Sequence, residues 1–516
     1  MLAATSVPPQ LGLDRLLPEL IVAGTGFAAI VTELLLPAGR RAVASGLTAF
    51  LGLAIALIVL LTATPTGLAL SVHAPARVGG VVQDVLVTGW LSDAFSIYVR
   101  GTVLVTGMLL LLLSMRYLQR MDRGHGEMTA LLLFALLGVM LVSGVQDLLS
   151  FFVCLELVTI MAYVLAAFRR NDSRSTEAGL KYLVVGAVST ALLLLGIAFV
   201  YGHAGSLSFE AVAATLARGE MSVFLGLGLV LVLVGLLFKV GGVPFHVWIP
   251  DVYQGAPTPV TAFLATASKA AGLVLLLRFG TIAFVAGGVA WVPILAVIAT
   301  ATLLFGSLGA LGQRNIKRMM GYSGIGHAGY LLMGITAMAS AEIAGRAADG
   351  PPTAILFYLL AYALTGLTAF AVIVLVAGAS GGEHGGRAWR GLWKRSPFLA
   401  VAMLLALLSL AGVPPMSGFF AKFLVLKALV DQGLTPLAFL GAGAVIVGLY
   451  FYFVWMKEMY FKEPDPELDA GPIHVPLSSR LALIAGMIGM VGMGVFMGPF
   501  HTWAEQAAAA LLATAR

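Results

Sequence analysis

The chain has 516 residues, 60% of them hydrophobic and only 10% charged, with a mean hydropathy of +1.00. That leaves too little polar surface to coat a soluble globule of this size, so composition predicts an integral membrane protein. The formal charge of +6 does not point to nucleic acid: the basic residues fall between apolar segments, as membrane topology demands, and form no single patch.

Runs of about 20 apolar residues place spans near 18–36, 42–63, 92–118, 128–146, 148–168, 178–201, 221–245, 257–284, 291–311, 317–339, 353–378, 397–430, 435–459 and 480–506. The expected fold is therefore all-α and polytopic, with fourteen transmembrane helices. The first run, 20–36, lacks a basic leader and a small-residue cleavage site and reads as a retained span. Between spans two and three, residues 78–90 are rich in β-branched side chains and bounded by glycines, which predicts a short hairpin. The lone Cys154 sits in an apolar run, excluding an internal disulfide and a Cys-based metal site, and reads as a small core residue. Residues 381–386 read as a flexible polar loop with a solvated His384, and 506–515 as an alanine-rich extension of the last span.

Basic residues near span ends stay cytoplasmic. After odd-numbered spans come Arg40 and Arg41; Arg116, Arg120 and Arg123; Arg169, Arg170 and Arg174; Arg314, Lys317 and Arg318; Arg387, Arg390, Lys394 and Arg395; and Lys457, Lys462 and Arg480. The opposite side offers only Arg77, Arg218 and Arg346 in its loops, with Arg15 and Arg516 at the termini. Both termini are expected on the non-cytoplasmic side.

Two spans carry glycine and proline breaks, at Gly241-Gly242-Val243-Pro244 and at Gly412-Val413-Pro414-Pro415. Pro244 and Pro414 lie 170 residues apart, and spans four to eight precede spans nine to thirteen by a similar offset. Five helices per unit invert the second copy, which predicts an N-terminal three-helix segment (1–127), a first repeat (128–284), an inverted second repeat (285–459), and a loop with the last span (460–516). Inverted repeats with one broken helix each are a transporter architecture whose ion sites lie near the midplane.

Four ionisable groups fall at comparable depth in four spans: Glu156, Lys239, Lys269 and Lys422. A lysine at the bilayer centre costs about 2.5 to 3.5 kcal/mol on insertion scales, so each calls for a reason. Burial makes a lysine able to lose its proton, while a nearby carboxylate holds that proton on. A Glu156/Lys239 pair is then a switch, releasing a proton toward Lys269 when the partners separate. His327, flanked by small residues in the tenth span, suits a relay between lysines. The competing reading is a set of structural ion pairs. Lys427, Arg278 and Lys181 read as structural charges able to snorkel to an interface, His246 as a backbone cap, and Asp251 as a surface group. Sodium transport would call for carboxylate and carbonyl oxygens, which a lysine-rich axis does not supply. The chain carries no nucleotide-binding loop, metal cluster or haem motif to drive transport itself.

Residues 245–251 (FHVWIPD) with 256–260 (APTPV), the Glu156 span, 317–323 (KRMMGYS) and 410–422 (LAGVPPMSGFFAK) resemble the signature of the antiporter-like proteins of respiratory complex I, Mrp-type sodium/proton antiporters and membrane-bound hydrogenases. The resemblance covers nearly the whole chain. Residues 265–269 (ATASK) stand where the Mrp-like and larger complex I members carry a histidine-led sequence, and no long lateral helix follows the fourteenth span. Those departures point, within the family, to the bacterial proton-pumping NADH-quinone oxidoreductase. The resemblance implies that Glu156 is the paired glutamate, Lys239 the pump lysine, Lys269 the bridging lysine, Lys422 the terminal lysine and His327 the connecting group. It also implies that NADH, FMN, iron-sulfur clusters and quinone bind other subunits. The implied partners are another antiporter-like subunit and the small membrane subunits toward the quinone site, in the bacterial inner membrane.

Overall fold

The computed structural model describes residues 13–63, 77–78, 81–82, 85–87, 90–219, 221–284, 290–346, 349–468 and 471–513. After a single 3-10 turn (Leu13–Leu16), helices α1 (Leu17–Leu35) and α2 (Ala38–Ala63) form an antiparallel pair. Within the expected hairpin region, β1 (Arg77–Val78) pairs antiparallel with β2 (Val81–Val82), and β3 (Val85–Val87) with β4 (Trp90–Leu91). Gly79, Gly80, Gln83, Asp84, Thr88 and Gly89 lie outside the described residues. Next come α3 (Ala94–Leu118), α4 (His125–Val142), α5 (Leu148–Ala166), α6 (Ser173–Ala204), the short α7 (Phe209–Ala217) and α8 (Val223–Val240).

Some helix starts are set by capping side chains, which satisfy otherwise orphaned amides. Asp93 and Ser96 form a capping box on α3, and Asp147 accepts from Leu149 and Ser150 at the head of α5. For α4 the cap is tertiary: Glu33, near the end of α1, accepts from the amides of Gly124, His125 and Gly126.

Past α8 the chain breaks. Gly241 adopts φ +86°, its amide and that of Gly242 both donate to Leu237 O (2.9 and 2.8 Å), and short helices α9 (Ile249–Gly255) and α10 (Thr258–Phe263) follow. A π-helical turn (Leu264–Ser268) leads into α11 (Lys269–Ala283). Then come α12 (Trp291–Ala310), α13 (Ile316–Ile343), α14 (Gly350–Ala379), the small α15 (Gly386–Trp389) and α16 (Leu392–Arg395), and α17 (Pro397–Ala411). The second break repeats the first: Gly412 has φ +86°, and the amides of Gly412 and Val413 both donate to Leu408 O at 3.0 Å. In both places a left-handed glycine closes a helix in the Schellman manner. The Val243–Pro244 and Pro414–Pro415 bonds are both cis. Helices α18 (Ser417–Asp431), α19 (Thr435–Phe461), α20 (Leu477–Val495) and α21 (Met497–Ala513) complete the chain.

Among the described residues, twelve helices are long and apolar enough to cross a membrane. The 28-residue α13, diluted by glycines, Lys317, Arg318 and His327, is not among them, and α17 and α18 are 15 residues each. The apolar windows of α14 and of Thr258–Ala283 are the most enclosed, whereas α1, α6, α12 and α19 turn large apolar side chains such as Phe27, Val188, Val297 and Phe439 outward. That is the inside-out surface of a protein solvated by lipid. The chain is a multi-pass, nearly all-helical membrane protein.

Several expectations need correction. The last span is not continuous: the backbone turns at Phe496 (φ −113°, ψ 57°), and α21 packs separately on α3 and α14. Pro499 and the flanking glycines at 494 and 498 account for the interruption. Arg278 does not snorkel. It is 2% exposed and donates to Asp93 (2.9 Å) and to the carbonyl of Ser143, with its guanidinium over Phe95. Lys181 and Lys427 do reach solvent, paired with Glu177 and Asp251, and with Asp431. Loop 381–386 is anchored: the Ile316 amide donates to His384 O at 2.9 Å, and the ring Nε2 lies 3.4 Å from Thr258 Oγ1. Burial, reinforced by the nearby Lys317 charge, lowers the His384 pKa to about 4, so the ring is not the solvated group its composition suggests. Cys154, partly buried, does pack against the core as expected.

Candidate functional site

Glu156 lies on α5, eight residues beyond its first residue, and Lys239 is the next-to-last residue of α8, two positions before the break at Gly241. They do not form the direct ion pair expected from sequence. Lys239 Nζ donates to Thr159 Oγ1 at 3.0 Å, and Glu156 Oε1 accepts from Thr190 Oγ1 at 2.9 Å. Thr159 stands one turn after Glu156 on the same helix, so the lysine is parked one turn away from the carboxylate. Glu156 is partly exposed at the wall of a groove of about 690 Å³ between α5 and α6, lined mostly by apolar residues such as Ile160, Val164, Leu183 and Leu194.

The stem of Lys239 packs against Gly272, where an added Cβ would stand 3.0 Å from the lysine Cβ. Gly272 is one turn beyond Lys269, so this small residue is what lets the two lysine-bearing helices approach. Lys269 itself directly follows the π-helical turn, a feature frequent at functional sites. Its Nζ donates to Gly324 O at 2.5 Å and lies 5.6 Å from the Tyr362 ring centre. At the second break, Lys422 on α18 reaches back so that Nζ donates to Leu410 O (2.8 Å) and Ala411 O (3.0 Å), 5.1 Å from the Tyr330 ring. All three lysines are at most 6% exposed. Among the described residues none of them has a carboxylate within ion-pair distance. A threonine hydroxyl does that work for Lys239, and carbonyl oxygens and aromatic faces do it for Lys269 and Lys422.

His327 stands between Lys269 and Lys422, and both ring nitrogens are engaged: Nδ1 with the Tyr358 hydroxyl (2.7 Å) and Nε2 with the Tyr452 hydroxyl (3.4 Å). Tyr452 also shares a short hydrogen bond with Ser323. The structure thus brings Lys269, His327 and Lys422 into one polar seam through α11, α13, α14, α18 and α19, with Lys239 joined to it through Gly272. His246 lies off this seam, edge-on to Phe305 at 4.2 Å. Asp251 is a half-exposed partner of Lys181 and Arg318.

Sequence reasoning missed the tyrosines. Tyr358 and Tyr362, spaced i,i+4 on α14, share one helix face, and that spacing in an otherwise apolar span was the available signal. It also took Lys317 for a loop charge, whereas the side chain is 2% exposed and donates to Ala256 O at 2.5 Å. That lysine forms the floor of a cavity of about 1320 Å³ that gathers Arg41, Arg116, Arg120, Arg169, Arg170 and Arg174 at one end of the molecule.

The family described as "NADH:quinone oxidoreductase/Mrp antiporter, TM" matches residues 145–448. The chain belongs to it. The chain is 38% identical to NADH-quinone oxidoreductase subunit N 1 of Rhizobium meliloti over 455 residues, covering 87% of this chain and 92% of the relative. It is 36% identical to NADH-quinone oxidoreductase subunit N of Trichlorobacter lovleyi, covering 96% and 97%. A chain of respiratory complex I from Thermus thermophilus superposes with a TM-score of 0.75 at 30% identity, covering 94% of this chain and 98% of that one. A chain of the Mrp complex from Dietzia gives a TM-score of 0.81 at 21% identity, a likeness of fold alone. The matched region spans both breaks and includes Glu156, Lys239, Lys269, His327 and Lys422, while Tyr452 lies just beyond it.

Proposed function

We propose that this chain is the N subunit of a bacterial proton-pumping NADH-quinone oxidoreductase. In this reading it translocates protons through Glu156, Lys239, Lys269, His327 and Lys422, while NADH oxidation and quinone reduction, with FMN and iron-sulfur clusters, take place on other subunits. The observation that carries the reading is the seam itself: three lysines and a histidine buried inside the bundle, held by carbonyls, hydroxyls and rings, beside two helix breaks of the same geometry. A purely structural role would favour carboxylate partners for such lysines, since an unpaired buried charge is costly. Lysines on neutral ligands keep a proton that can be given up and regained.

The parts have distinct tasks. Lys239 on Thr159, one turn from Glu156, corresponds to the separated state of the switch; a rotamer change toward Glu156 restores the pair and holds the proton. Lys269 receives, His327 connects and Lys422 delivers. Each proton moved against the membrane potential requires about 2.3 kcal/mol per 100 mV, which the redox chemistry of the other subunits supplies. Glu156 opens on a lipid-facing groove, where a neighbouring membrane subunit has access to the switch.

The two breaks also support the inverted-repeat reading with fourteen crossings, counting α13 and taking α17 with α18 as one. The clustering of arginines around one cavity supports an orientation with that end cytoplasmic and both termini outside.

The test is Lys239→Ala in the complete complex in its native membrane, with assembly and NADH-driven acidification both measured. Acidification is expected to collapse while the complex still assembles; normal assembly with normal acidification would leave only the structural role. The isolated chain in proteoliposomes is expected to show no sodium/proton exchange, and exchange there would favour a standalone antiporter.

A further inference from the structure

We propose that the hydroxyls of Tyr358, Tyr452 and Ser323 form, with His327, a proton wire that links the Lys269 side of the seam to the Lys422 side; the proposal rests on the proton-translocating reading above. In its neutral form an imidazole has one donor and one acceptor nitrogen. Here each nitrogen meets a different tyrosine on a different helix, Tyr358 on α14 and Tyr452 on α19. A proton entering the ring at one nitrogen therefore leaves at the other, toward the other tyrosine. His327 acts in series with the two hydroxyls and not as an isolated base.

The wire has a direction in space. Ser323, bonded to Tyr452, is the residue before Gly324, whose carbonyl holds Lys269. Tyr358 stacks on Tyr330 with ring centres 6.4 Å apart, and Tyr330 carries Lys422 over its face. The Tyr330 hydroxyl is committed elsewhere, donating to Gly441 O at 2.8 Å, so Tyr330 contributes its ring and not a relay hydroxyl.

Transfer balances at every group. In the loaded state Tyr452 donates to Nε2, and Nδ1–H donates to the Tyr358 oxygen. A proton released from Lys269 adds at the Ser323 oxygen, the original Ser323 proton passes to the Tyr452 oxygen, and the original Tyr452 proton moves to Nε2. The Nδ1 proton passes to the Tyr358 oxygen, and the original Tyr358 proton departs toward Lys422. Each group has gained one proton and lost one, so the wire carries no net charge afterwards. His327 is left as the opposite tautomer, and the hydroxyls must rotate and the ring reset before the next proton. That reset makes the segment one-at-a-time.

Tyr358→Phe and Tyr452→Phe remove a hydroxyl and keep the ring, so packing is preserved. Tyr98→Phe is the control, since Tyr98 on α3 is equally buried and its hydroxyl donates only to Leu356 O at 2.9 Å. In the assembled complex, each wire variant is expected to slow NADH-driven proton release by about 10-fold or more, to lower the protons moved per NADH, and to change the solvent deuterium effect on that ratio. Tyr98→Phe is expected to match the parent. If Lys239→Ala abolishes pumping while Tyr358→Phe and Tyr452→Phe pump normally, the wire is wrong and the translocation reading stands. If both wire variants fail to assemble, or Tyr98→Phe falls as far as they do, the hydroxyls serve packing and the proposal is overturned.

Discussion

Arg278 donates to both oxygens of Asp93 and twice to the carbonyl of Ser143, tying α11 to the head of α3 and the end of α4. Asp93 is at the same time the N-cap of α3, so one carboxylate serves a helix start and an interhelix clamp. Arg278→Ala leaves that carboxylate buried and unpaired, and should destabilise the fold by about 3 to 5 kcal/mol. The check is the midpoint of thermal unfolding in detergent, which should fall for Arg278→Ala and partly recover in the double variant with Asp93→Asn. The deep charges were legible from sequence because a lysine or glutamate inside an apolar run is conspicuous. Their partners were not. Whether Glu156 meets Lys239 depends on hydroxyls at Thr159 and Thr190, ordinary residues in any membrane helix, and tyrosines such as Tyr358 and Tyr452 carry no charge to make them conspicuous.

Among elements, the two breaks concentrate the consequence. Gly412 has φ +86°, which a side chain rarely adopts, and an added Cβ would stand 3.0 Å from Lys422 Cδ. Gly412→Ala should therefore cost about 1 to 2 kcal/mol in backbone strain and shift Lys422 from its carbonyls, cutting proton release more than it cuts assembly. Gly443→Ala on α19, where an added Cβ meets nothing within 4 Å, should leave both unchanged. Acidification rate against the amount of assembled complex separates the two outcomes. Both breaks were legible, since glycine and proline inside an apolar run announce a lost helical bond. The turn at Phe496 was overlooked although Pro499 and its glycines carried a similar signal, because hydropathy alone does not distinguish one bent helix from two. The π-helical turn before Lys269 has no distinctive sequence mark: residues 264–268 (LATAS) contain no glycine or proline to announce an extra residue.

For the whole molecule, the proposed orientation puts the arginine-lined cavity and the surface pairs Arg387–Asp465 and Lys394–Glu463 on the cytoplasmic side. In a Cys154→Ala background, Arg346→Cys should react with a membrane-impermeant maleimide on intact spheroplasts, and Arg170→Cys only after lysis. The reverse pattern would turn the chain over. Across the same membrane, the carbonyls that hold Lys422 are the last two of α17, the negative end of a helix dipole equivalent to about half an elementary charge. A counter-charge made of main chain cannot be protonated, replaced by a side-chain substitution or drawn away by a neighbouring cation. In the proposed pathway, the half-charge stays behind at a fixed point when Lys422 gives up its proton, and the emptied site is already attractive to the next one.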